Sequence, residues 1–204
     1  MPRTIALLSL LVTSFAASHT IAALPPGSNW NLDPNHTSVG FTARHLAFAK
    51  VRGKFTSFSA RLQADPQTGK LTSFEATIEA KSVDTGVDKR DNHLRSDDFF
   101  AVAKHPNITA KSKSIQWKGN EFTAIVALTI RGITKDVKFQ GEQLGIETVN
   151  FGQGPHLRTA YEATATINRK DFGLNFSGLA EGISIVGDEV EIHIEAEASH
   201  TPAK

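Results

Sequence analysis

Glu189-Val190-Glu191-Ile192-His193-Ile194-Glu195-Ala196-Glu197-Ala198 is the stretch whose pattern decides the fold. Aliphatic or small residues fill every second position and acids or His fill the rest. In an extended chain one face is therefore wholly apolar and the other nearly all acidic. A helix would scatter the same residues around its axis. The segment reads as an antiparallel strand with one face buried and one in water. The same period recurs at Val39, Phe41, Ala43; at Phe58, Ala60, Leu62, Ala64; at Phe74, Ala76, Ile78; at Phe122, Ala124, Val126, Leu128, Ile130; and at Tyr161, Ala163, Ala165, Ile167. Val51 to Phe55 and Ile133 to Phe139 are weaker examples.

Turn chemistry separates these runs: Asp65-Pro66-Gln67-Thr68-Gly69, Lys118-Gly119-Asn120, Arg131-Gly132 and Gly152-Gln153-Gly154-Pro155. Short connections make antiparallel neighbours. About eight strands with one apolar face each have two usual solutions, a two-sheet sandwich or a sheet closed into a barrel, and the barrel is the preferred reading. One segment breaks the period. Between Asp84 and Lys104, Thr85 and Asp88 have capping-box spacing and Val87 and Leu94 lie two turns apart, which predicts a short helix. A second helical turn is expected from Ser96, with Asp97 and Asp98 at its start, ending before Pro106. This region is the expected lid or plug.

Ahead of the first strand, Arg3 precedes the apolar run Ile5 to Val12, too short to span a bilayer, and small residues follow. Residues 1–22 read as a cleaved export signal, with Thr20 and Ala22 placing the cut before Ala23; Ala16 and Ser18 offer an earlier one. The mature chain, 23–204, is expected to be a single domain in the periplasm or medium. Removing Arg3 turns 22 basic and 21 acidic side chains into 21 of each. Nothing in that balance points to nucleic acid, and a formally neutral surface argues against docking on anionic membranes through a polybasic patch. There is no Cys. The fold must then stand on its core alone, and thiol nucleophiles, thiolate metal sites and a lipidated N-terminal Cys are excluded.

The inward-facing set mixes small residues (Ala60, Ala64, Ala76, Ala124, Ala163, Ala165, Ala196, Ala198) with large aromatic ones (Phe41, Phe55, Phe58, Phe74, Phe122, Phe139, Tyr161). Inside an eight-stranded barrel, alanine walls leave room for an apolar guest. The same residues can also interdigitate into a solid core, so periodicity leaves both open.

Six blocks in order resemble the YceI-like family of exported lipid-binding barrels. They are Trp30 to Phe41 (WNLDPNHTSVGF), with His45 following; Val51-Arg52-Gly53-Lys54-Phe55; Arg90 to Phe100 (RDNHLRSDDFF); His105-Pro106-Asn107-Ile108-Thr109; Leu128 to Lys135 (LTIRGITK); and Arg169-Lys170-Asp171-Phe172-Gly173-Leu174. The resemblance implies a lipocalin-like antiparallel barrel whose elongated apolar cavity takes a polyisoprenoid chain, such as an isoprenoid quinone or a polyprenyl phosphate. Thr37, His105, Ala101 and Ala110 depart from the family pattern, the last two where an acid and a Phe are usual. With the inward pattern, it gives the candidate ligand-binding residues Phe41, His45, Phe55, Phe74, Ile78, Arg90, Asp91, Leu94, Phe99, Phe122, Val126, Phe139, Tyr161 and Phe172.

Two roles compete for Arg90 and Asp91: meeting a phosphate or quinone oxygen at the cavity mouth, or anchoring the lid to the rim. His36, His45 and His93 would suit a zinc or copper ion if the fold brought them together. No Gly-x-Ser-x-Gly elbow, phosphate-cradling Gly loop or His-Glu-x-x-His occurs. The expectation is a carrier, reservoir or sensor of a long isoprenoid lipid, with no catalytic residue, no cofactor beyond the bound lipid, no integral membrane segment after signal removal, and a homodimer allowed. Two other readings stay open: a metal-dependent enzyme acting on such a lipid, and a ligand-free stress or structural barrel.

Overall fold

A computed structural model describes residues 28–150, 152, 154–180 and 182–200. The export segment, residues 1–22, and Gln153 of the expected glycine turn lie outside the described residues. In chain order the elements are β1 (Ser28–His45), β2 (Ala49–Phe55), β3 (Phe58–Ala64), β4 (Leu71–Glu79), β5 (Val83–Asp84), α1 (Asp88–Arg95), β6 (Asn107–Lys118), β7 (Glu121–Ile130), β8 (Ile133–Asn150), β9 (Pro155–Asn168), β10 (Leu179–Ala180), β11 (Ile183–Ser184) and β12 (Val186–His200).

The acidic-apolar stretch is β12, and it closes the barrel. Neighbours run β12-β9-β8-β7-β6-β4-β3-β1, and β12 pairs back onto β1, so the sheet closes on itself. β2 and β3 are both antiparallel to β1 but at different heights, β2 against Val39 to His45 and β3 against Ser28 to Trp30. They act as two halves of one stave, which makes the barrel eight-stranded. Between those stretches, residues 31–38 of β1 have no strand partner on that side among the described residues, leaving a seam in the wall.

Irregularities of register interrupt three of the long strands. In β6 the register slips between Ser112 and Ser114, so Ile108 and Ala110 face inward before it and Ile115 and Trp117 after it. That odd step hid β6 from a period-two reading. In β8 the slip falls between Gln143 and Gly145 and turns Leu144 out to 54% exposure. In β1 the pairing with β12 skips from Asp33 to Ser38 and slips again between Ala43 and His45.

The lid differs in detail from its expected form. Val87, not Thr85, caps α1, with no side-chain cap bond. Thr85 instead donates its hydroxyl to Asp91 Oδ1 and accepts from Arg90 Nε at 2.7 Å. The helical turn expected at Ser96 does not form. Ala101 takes a left-handed φ of 49°, and its N–H and that of Phe99 both return to the Ser96 carbonyl, a pair of tight turns that cannot propagate as helix. Arg95 holds the lid from below by donating to the Lys81 and Val83 carbonyls at 2.7 and 2.8 Å, and Arg131 holds it from above through the Asp97 and Phe99 carbonyls.

Candidate ligand cavity

The inward faces enclose a cavity of about 260 Å³. Alanine makes the room: Ala60, Ala76 and Ala110 stand directly opposite one another across β3, β4 and β6, and all three line the void. Aromatic rings shape it. Phe41 and Phe122 lie flat against backbone only because glycine faces them; a Cβ on Gly53 would sit 2.4 Å from Phe41 Cζ, and one on Gly141 would sit 2.5 Å from Phe122 Cζ. Val190, Ile192 and Ile194 of β12 supply the aliphatic side, and Leu94, Phe99 and Phe100 of the lid complete the wall.

One end is shut. The β3–β4 turn folds across it and is latched by Trp117 Nε1 to the Leu71 carbonyl at 2.9 Å and by Gln143 Nε2 to the Thr68 carbonyl and Thr159 Oγ1, both at 2.8 Å. The Tyr161 hydroxyl donates to the Gly69 carbonyl, and burial pushes its phenol well above the ordinary range, so it stays protonated as a latch. At the other end Arg169, 4% exposed, spends its guanidinium on the carbonyls of Gly187, Leu174 and Val186 and on Asp188. Thr37 and Ser59 line the cavity beside the seam, and Ser59 is exposed, so the void approaches solvent there.

Of the residues expected in the site, Phe41, Phe55, Phe74, Ile78, Leu94, Phe99, Phe122, Val126, Phe139 and Tyr161 line the cavity. His45, Arg90, Asp91 and Phe172 do not. His45 lies past the cavity at the exposed end of β1, where its Nδ1 meets the Ile185 carbonyl at 2.9 Å. Arg90 is held at Thr85, through Nε to Oγ1 and Nη2 to the carbonyl at 2.8 Å. Asp91, 4% exposed, accepts from the Thr85 N–H and hydroxyl. Both anchor the lid. Phe172 is 1% exposed in the core beneath a 3-10 turn, and Leu174 takes the cavity position instead. Arg169 and the half-buried Phe100 are lining residues that the strand period does not reveal, because both sit outside strands.

The three histidines do not converge. His36 is in the β1 bulge, His45 at the far end of the same strand, and His93 on α1 beside Asp98, with its ring edge-on to Phe99 and Phe176. His36 instead joins Asp33 and Glu197, whose ligand atoms and its own lie within 4.8 Å of one another. The positive charge there is Arg158, whose guanidinium pairs with both carboxylates. The hydrogen bond from His36, with those from the Asn35 N–H and Arg158, holds the Asp33 carboxyl below the usual range.

The wall is thus almost wholly apolar, and its polar groups are fixed to backbone or sit at the seam. The YceI-like domain model matches residues 30–198. The chain belongs to the YceI-like family. A UPF0312 protein of Staphylococcus aureus, SAB2563, is 35% identical over 173 residues, 84% of this chain and 98% of the relative. Among solved YceI-like structures, that of the Campylobacter jejuni YCEI protein superposes with a TM-score of 0.67 at 25% identity, covering 95% of this chain and 100% of the other. A polyisoprenoid binding domain from Saccharophagus degradans has a TM-score of 0.58 at 15% identity, covering 86% and 99%, a likeness of fold.

Proposed function

We propose that this YceI-like barrel carries or stores an apolar chain of the isoprenoid class outside the cytoplasm and performs no reaction on it. The observation that carries the reading is the alanine belt facing aromatic rings around a void, which a branched hydrocarbon chain fills better than water does. A cavity of about 150 Å³ takes one benzene ring, so this one accommodates roughly ten carbons, about two isoprene units, before any side chain moves. Each methylene buried there contributes about 0.8 kcal/mol of gross transfer energy. The domain of the same fold described as polyisoprenoid binding supports the choice of chain.

The test is to purify the protein from its native host without detergent, extract it with organic solvent, and run mass spectrometry on the extract beside a metal analysis of the intact protein. An isoprenoid in stoichiometric amount is the expected result. Stoichiometric metal with no lipid would sink the carrier reading.

A further inference from the structure

The formal neutrality of the mature chain conceals an uneven charge distribution along the barrel axis. On the outer face of the β1–β2 hairpin, Arg44 stands directly opposite Lys50, and Arg52 and Lys54 follow on the same face, all exposed. Glu191 lies 3.9 Å from Lys50 and Asp84 faces Lys54 across the β2–β5 pair, while Arg44 and Arg52 have no carboxylate partner among the described residues. Toward the other end of the barrel, Glu121, Glu142, Glu162 and Glu195 face one another in a row over β7, β8, β9 and β12, while on β12 beside the hairpin Glu191 stands opposite Thr42. Glu195 lies nine residues along β12 from Val186, so the row sits roughly 30 Å from the hairpin's tip.

That tip is apolar. Phe48, in the β1–β2 turn, is 75% exposed; Leu179 and Ile183, in the neighbouring β10–β11 hairpin, are 66% and 48% exposed. The two loops are tied at their bases, because Leu46 N–H and His45 Nδ1 both meet the Ile185 carbonyl, and Ile185 N–H closes the second hairpin on the Gly178 carbonyl. Large apolar side chains at a barrel's end, flanked on one side by unpaired cations, match the layered chemistry of an anionic bilayer surface: phosphates outside, hydrocarbon just beneath.

We propose that this end of the barrel docks on anionic membranes, with Phe48, Leu179 and Ile183 entering the interface and Arg44, Lys50, Arg52 and Lys54 meeting lipid phosphates. The glutamate row, repelled by the same surface, sets the orientation. Docking does not depend on what fills the cavity, since none of these residues lines it.

The experiment is co-sedimentation of the purified protein with phosphatidylcholine vesicles, with and without a quarter of phosphatidylglycerol, at low and high salt. Binding is expected to need phosphatidylglycerol and to fall with salt. Arg44→Ser and Arg52→Ser should each weaken it about fivefold, and Phe48→Ser with Leu179→Ser at least tenfold, all with uptake of an apolar fluorescent probe unchanged. Phe48→Trp provides a second readout, a blue shift of emission on adding the same vesicles. No sedimentation with anionic vesicles, no blue shift, or binding that survives the double variants would overturn the proposal. So would a dimer in solution that Phe48→Ser dissociates, since a second copy would then cover the tips. Loss of probe uptake with vesicle binding intact would count against the carrier reading alone.

Discussion

Asp33 shows how much one side chain can organise. Its carboxylate accepts from the Asn35 N–H at 3.0 Å, meets His36 Nδ1 at 3.0 Å and pairs with Arg158, while its carbonyl accepts from Thr37 Oγ1 at 2.7 Å. These contacts stabilise the ionised form, so the folded carboxyl titrates below the unfolded one. The stability it contributes is present above the unfolded pKa, about 3.9, and is lost as pH falls through the lower folded value. Asp33→Asn is therefore expected to lower the unfolding free energy by about 2 kcal/mol at neutral pH. The deficit should shrink below pH of about 4, as chemical denaturation across a pH series would show. At this scale sequence was least informative. His45 has the same parity as Phe41 and Ala43 and reads as a wall residue, yet it stands at the exposed end of its strand, past the cavity. Arg90 and Asp91 read equally as head-group contacts and as lid anchors, and Thr85 occupies both.

Strands were legible to the extent that their period was unbroken. β12 and β7 run without a slip against their longest neighbours and were readable end to end; β6 and the far half of β8 were not, because each carries a bulge that reverses the face. The short helix expected between Asp84 and Lys104 forms at Asp88–Arg95 but is capped differently, since Thr85 prefers the buried Asp91 to the helix terminus. The same ladders expose a cost. Like charges directly opposite on an antiparallel pair destabilise it, and Glu142 has a glutamate on each side. Glu142→Lys is expected to raise stability by about 0.5 kcal/mol, read as a higher denaturant midpoint with unchanged slope. The gain should be smaller at high salt.

At the scale of the whole molecule, eight one-faced strands and short turns were enough to anticipate a closed barrel, because closure is the usual way to leave no edge. The void was not anticipated with the same force. Alanine and phenylalanine build a solid core and a hollow one alike, and only the register that puts Ala60, Ala76 and Ala110 abreast separates the two. Ala110 lies in that belt. Ala110→Phe is expected to fill part of the cavity, weaken uptake of a long apolar probe about tenfold, and leave the thermal midpoint level or higher. Titration of the probe beside a melting curve checks both.

The seam between β1 and β3 has a mechanical consequence. A cylinder slit over part of its length widens by bending, whereas an unbroken one must first surrender ladder bonds. Here residues 31–38 of β1 have no such bonds among the described residues to give up on that side, so the wall can part beside Thr37 and Ser59 at the expense of side-chain contacts alone. Hydrogen exchange should show it: amides bordering the slit exchange by small local opening, while those of β7 and β8, clamped from both sides, exchange only with global unfolding. A chain-like guest would then pass in sideways along its length, as a thread is laid into a split tube, with the rest of the barrel undisturbed.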